Sequence, residues 1–251
     1  MSDVFDSLQG RKVLVTGAGS GIGLAIAGHF LDAGATVAAN ILPDDESGRA
    51  ALGELASRGT LEILHADVSD GEAVSAAVDG FVDRFGAVDV LVSNAGIGQK
   101  APFLEISDAD WMRMFSVHLG GAINTSRACL PGMIEQGFGR VLFTASELVP
   151  LGMANLSHYC AAKGALVSLC RSLAREVGEH GVTVNCVAPG PTVTPMLMKA
   201  PDEYNEQARM TIPMRSFGDP ENVAWTWLFL ASDAGSWYTG QFVSPNGGVA
   251  M

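Results

Sequence analysis

Short runs of β-branched and apolar residues alternate along this chain with longer segments of helical period. That rhythm constrains the fold more than any other feature. "KVLVT" (12–16), "TVAAN" (36–40), "LEILH" (61–65), "VDVLVS" (88–93), "RVLFTA" (140–145) and "VTVNCVA" (182–188) read as buried strands. Between them, "GIGLAIAGHFLDAG", "SGRAALGELASRG" and "DGEAVSAAVDGFVDRFG" carry apolar residues at helical spacing, and each ends near glycine. Alternation of this kind predicts an α/β fold: a parallel sheet, doubly wound, with right-handed crossovers and helices on both faces. A last run, "GQFVSP" (240–245), brings the expected sheet to seven strands. No repeat, low-complexity tract or linker divides the chain, so residues 1–251 are expected to form a single domain. Residues 190–220 interrupt the rhythm with prolines, methionines and charges, and read as a small inserted substrate lid.

Composition narrows the classes of partner. With 15 basic against 27 acidic residues the formal charge is −12, which argues against a nucleic-acid surface or an anionic membrane. No apolar run reaches the roughly 18 residues of a membrane span, and "MSDVFDSLQGRK" lacks a basic-then-apolar leader pattern. The expected location is the cytoplasm. Cys129, Cys160, Cys170 and Cys186 are widely spaced without a C-x-x-C pair, and the histidines form no ligand motif. No metal is expected.

Two motifs carry chemistry. "TGAGSGIG" (16–23) follows the first strand and opens the first helix. Gly17, Gly21 and Gly23 would let the backbone turn sharply and approach a pyrophosphate at the positive helix N-terminus. The second is "SHYCAAKG" (157–164), which sets Tyr159 and Lys163 four apart on one helix face. A nearby ammonium favours phenolate and would lower the phenol pKa from about 10. Such a pair can deliver or accept a proton near neutral pH.

The glycine spacing, "NAG" at 94–96, Ser146 thirteen residues before Tyr159, and Tyr159-x-x-x-Lys163 resemble the short-chain dehydrogenase/reductase family over essentially the whole chain. The resemblance implies a Rossmann-type fold and an NAD(P)-dependent enzyme interconverting a secondary alcohol and a carbonyl. It implies Tyr159 as acid/base and Lys163 as the residue that lowers its pKa and holds the nicotinamide ribose. Ser146 would hydrogen-bond the reacting oxygen. Cofactor contacts carried over in the same way are Gly17, Ser20, Gly21, Ile22, Gly23 and Asn40, with Asp67 on the adenine amino group and Val68 beside it. Asn94, Ala95 and Gly96 would flank the cofactor by backbone and close packing. Pro189, Thr192 and Thr194 of "PGPTVT" would meet the carboxamide and phosphates. Hydride transfer to a carbonyl leaves charge on oxygen, which needs a proton donor and a second, orienting donor. Tyr159 and Ser146 have that chemistry.

Two positions depart from the family pattern. His118 stands where an asparagine usually holds a relay water through its backbone carbonyl. It either substitutes through that carbonyl or merely packs beside the site, and it is given no catalytic role. The second strand ends in "NILPDDE" (40–46), without the acid of NAD-specific relatives or a cation for a 2′-phosphate. Because Asp44 and Asp45 lie close, NAD is the expected cofactor, with NADP the alternative. The expected substrate is a small alcohol or carbonyl compound, free or CoA-linked. Alternatives are a 3-oxoacyl-(carrier protein or CoA) reductase and a non-catalytic nucleotide-binding regulator. Apolar residues on helices 108–133 and 159–179 exceed one buried face, and the resemblance implies a homotetramer or homodimer.

Overall fold

The computed structural model describes residues 4–198, 206 and 209–251. Its strands are β1 (Lys12–Thr16), β2 (Thr36–Ile41), β3 (Leu61–His65), β4 (Val90–Ser93), β5 (Gly139–Thr144), β6 (Val182–Val187) and β7 (Phe242–Val243). All pair in parallel as one seven-stranded sheet in the order β3-β2-β1-β4-β5-β6-β7, a Rossmann-like α/β fold. Every run read from the sequence as a strand overlaps one, β2 running on to Ile41 and β5 starting at Gly139. The fourth starts later than expected, at Val90. Asp89 is occupied before it, its carboxylate accepting the Lys12 N–H at 2.8 Å and pairing with Arg11 at 3.2 Å.

The strands are largely apolar because both faces of the sheet are covered. On one face, Val13, Val15, Val37, Ala39, Val90 and Val92 pack under α1 (Gly21–Asp32), α2 (Glu46–Leu55) and a late helix, Pro220–Ala231. Trp227 from that last helix is fully buried there. On the other face, Leu14, Ala38, Leu91, Val141 and Phe143 meet α3 (Gly71–Phe85), α5 (Gly121–Glu135) and α7 (Ser157–Val177). Before α5 come α4 (Asp108–Phe115) and a π-helical segment, Ser116–Gly120; α6 (Leu148–Leu151) is one turn after β5. Asp45 and Asp70 cap α2 and α3 with their side chains.

Sheet order reverses between β1 and β4, so the loops leaving their carboxyl ends part and open a crevice. The expected lid begins with α8 (Pro195–Met198), and its base is tied to the chain entering the Pro220–Ala231 helix by Val193 N–H to Gly218 O at 2.9 Å. Residues 199–205 and 207–208 of that lid lie outside the described residues. No helix among the described residues is long and apolar enough to cross a membrane.

Candidate active site

The crevice is built around the turn after β1. Gly17 and Gly21 have φ of +62° and +54°, a region that favours glycine. A Cβ on Gly17 would stand 2.8 Å from the Ala95 Cα, and one on Gly23 would overlap the Gly17 carbonyl. The loop is stitched to the end of β4. Thr16 Oγ1 accepts the N–H groups of Asn94 and Ala95, both at 2.9 Å. The Asn94 amide donates to Thr16 O at 3.0 Å and Gly17 O at 3.3 Å. Ser20 is the N-cap of α1, yet its exposed hydroxyl makes no cap bond, leaving the helix N-terminus open to an anion. Ile22 packs partly against the core below. Thr194 leans over the loop from the lid base, its methyl 3.0 Å from where a Gly21 Cβ would sit. The Thr192 hydroxyl is turned to Gly190 O at 2.9 Å, and Pro189 O accepts the Glu147 N–H at 3.3 Å.

On the side of β2 and β3, Asp67 accepts the Ser69 N–H at 2.9 Å and the Ser69 hydroxyl at 2.7 Å, which hold its carboxyl below the usual range. Val68 is buried against Gly121, with its carbonyl held by the Asn124 amide at 2.9 Å. Asn40 lies behind the glycine loop. Its buried side chain already donates to Ala66 O at 3.0 Å, and its carbonyl accepts the Ala18 N–H at 3.1 Å. Both bonds support the glycine loop from behind. Asp45 lies closer to the loop than its place in sequence indicated. Its Oδ2 is 2.7 Å from where a Cβ on Gly19 would project, while its Oδ1 caps α2 through Gly48 N–H at 2.8 Å.

Beyond the ends of β4 and β5 stand Ser146, Tyr159 and Lys163, brought together from a strand end and from the first two turns of α7. Lys163 is 4% exposed and donates from Nζ to Thr144 O at 2.6 Å. Burial pushes its pKa down to about 8. Nζ is 5.7 Å from the centroid of the Tyr159 ring. The depressed phenol pKa expected from that neighbour does not appear: desolvation, followed by the negative charge of Glu147, pushes Tyr159 up, against a hydrogen bond with Ser146 that lowers it. Desolvation is the larger influence because an uncharged phenol is favoured wherever water is excluded.

Glu147 was not singled out by sequence reasoning. It is buried, its pKa raised chiefly by burial, and its Oε2 accepts the Ser146 hydroxyl at 2.7 Å. His118, in the π segment, packs its ring against Gly96 and meets the Tyr159 ring edge-on at 5.4 Å. Its Nε2 lies 2.9 Å from Ile97 O, and burial pushes its pKa down to about 3, so it is neutral at physiological pH.

A family model described as enoyl-(acyl carrier protein) reductase matches residues 17–250. Among curated proteins, the chain is similar to the 3-oxoacyl-(acyl-carrier-protein) reductase FabG of three bacteria. Identity is 35% to that of Staphylococcus aureus, covering 96% of this chain and 98% of the relative. It is 34% for Thermotoga maritima (97% and 99%) and 36% for Vibrio harveyi (98% and 99%). The chain belongs to the short-chain dehydrogenase/reductase family.

As a short-chain dehydrogenase/reductase it is an NAD(P)-dependent oxidoreductase that acts on a CH–OH or carbonyl group of a small-molecule substrate. Thr16 and Thr144 were also missed as site residues. Their signal was a polar residue closing an otherwise apolar strand, which is too common to single out alone. The cradle yields a first prediction. Gly23→Ala drives a methyl into the Gly17 carbonyl and to 2.6 Å from the Asn94 amide. Overpacking of this kind costs about 1–3 kcal/mol. Fluorescence titration of reduced cofactor is therefore expected to show binding weakened roughly tenfold, and unchanged affinity would contradict the packing argument.

Proposed function

We propose that this enzyme interconverts a secondary alcohol and a ketone with Tyr159 as acid/base, Ser146 as the orienting hydrogen-bond partner and Lys163 as the cofactor-holding cation. The observation that carries this reading is the meeting of those three side chains beside a glycine cradle stitched to β4. The residues fit a nicotinamide dinucleotide. Side chains are absent where a pyrophosphate would approach Gly17 and Gly21, and the α1 N-terminus is open. When bound, the nicotinamide supplies or accepts the hydride at the substrate carbon. The chain's own work is proton transfer and orientation. In reduction, the Tyr159 hydroxyl donates to the reacting oxygen; in oxidation, it takes the proton back. Lys163, anchored on Thr144 O, is charged below about pH 8 and can hold ribose hydroxyls beside the phenol. Tyr159→Phe removes the proton donor without removing the ring. A rate loss of at least ~10²-fold is expected in steady-state assays, and activity within a few-fold of wild type would reject the assignment.

For the substrate, a free or CoA-linked carbonyl compound is proposed. The charge of −12 disfavours an acidic carrier protein. The names of the relatives favour the second reading, a 3-oxoacyl-(acyl-carrier-protein) reductase. Turnover of 3-oxoacyl groups presented on CoA and on carrier protein, beside a panel of free secondary alcohols and ketones, separates the two. The four free cysteines suit a reducing compartment, the cytoplasm.

NAD is the proposed cofactor. The carboxylate of Asp45 lies against the glycine loop, where it can bond ribose hydroxyls and would repel a 2′-phosphate. NADH is expected to bind at least about tenfold more tightly than NADPH, a difference of ~1.4 kcal/mol. Asp45→Asn keeps a capping side chain for α2 and should narrow that gap. Paired fluorescence titrations decide it, and equal affinities in wild type would refute the choice.

A homotetramer or homodimer is proposed for the assembly. Met112, Phe103 and Leu104 leave apolar surface exposed on α4 and the turn before it, Leu104 being 94% exposed. Light scattering at micromolar concentration should give at least twice the 26.1 kDa of one chain, and a monomer would contradict it.

A further inference from the structure

Glu147 is an acid that the reaction as proposed does not use, set against the residues that it does use. It is 7% exposed, and its Oε2 is 2.7 Å from the Ser146 Oγ, the length of a strong hydrogen bond between hydroxyl and carboxylate. Ser146 Oγ in turn accepts the Leu148 N–H at 3.2 Å. Among the described residues, none of the ion pairs includes Glu147. A buried carboxyl without a cation is costly, and a glutamine or leucine would fill the same space at less cost. Packing alone is a poor reason for an acid here.

The acid does have electrostatic reach. From its place between β5 and α6 it faces α7, where its charge discourages ionisation of both Tyr159 and Cys160. The other groups facing the phenol are Lys163, 5.7 Å from Nζ to ring centroid, and the neutral His118, 5.4 Å ring to ring. The negative charge of Glu147 therefore acts on the hydroxyl, and Glu147 also grips the Ser146 hydroxyl that is its hydrogen-bond partner.

We propose that Glu147 is a positioning residue for the reaction: its carboxylate accepts the Ser146 hydroxyl proton in a hydrogen bond and holds Oγ in place as an acceptor for a substrate alcohol, and its charge delays the step at which Tyr159 becomes a base. The proposal rests on the acid/base reading of Tyr159. Its consequence is that alcohol oxidation starts at a higher pH than it would with a neutral residue at this position, while the protonated phenol needed for reduction persists at neutral pH.

Two readouts test it on the enzyme with oxidised cofactor bound. One is the pH dependence of alcohol oxidation at saturating cofactor. The other is ultraviolet difference titration of phenolate, wild type against Tyr159→Phe, which reports Tyr159 without turnover. Glu147→Gln, neutral and of the same size, is expected to lower both midpoints by at least about 0.5 pH unit, roughly threefold in proton affinity. Glu147→Asp, which keeps the charge, should stay nearer to wild type than Gln does. Glu147→Leu gives a second neutral variant if the amide misfolds, with cofactor titration as the check on folding. Midpoints unmoved in a folded, cofactor-binding neutral variant would overturn the proposal. Wild-type oxidation by Tyr159→Phe would instead remove the acid/base reading, and the phenolate titration would still report whether Glu147 governs the phenol.

Discussion

One hydroxyl holds the site together. Thr16 Oγ1 accepts two N–H groups from the end of β4, and the Asn94 amide returns bonds to the carbonyls of Thr16 and Gly17. These bonds span the place where sheet order reverses, so β1 and β4 are joined at the point where their onward loops part. Backbone groups there have left the ladder and would be unpaired without side-chain partners. The same bonds set Gly17 against Ala95 at a distance that admits no side chain. A dinucleotide cradle and a sheet junction are thus one construction.

Downstream of that junction, the chemistry depends on exclusion of water. Lys163 is buried on a single carbonyl, Tyr159 is pushed toward its neutral form, and His118 is kept neutral by the same desolvation. Within such a pocket each charge counts for more than it would at the surface. Burial and Glu147 raise the phenol, and the Ser146 hydrogen bond opposes them.

Much of this was legible in the chain. The strands were readable because both sheet faces are covered, which makes them largely apolar and distinct from the helices between them. The glycine loop and the Tyr159–Lys163 pair were readable because each depends on local geometry: positive φ at Gly17 and Gly21, and one helix face for the pair. The side-chain bonds of Asn40 were not readable, for the opposite reason. They depend on Ala66, which only the pairing of β2 with β3 brings within reach.

The sequence by itself determined the element order, the glycine turn and the placing of Tyr159 and Lys163 on one helix face, because those follow from periodicity and spacing along one stretch of backbone. Tertiary structure alone decided the electrostatics. That Glu147 is buried on Ser146, that Asp45 lies against Gly19, and that the phenol is pushed up rather than down all arise from contacts between separate elements or from how deeply they sit. Proton affinity depends on distance and water access in three dimensions, and neither is written in the spacing of residues along the chain.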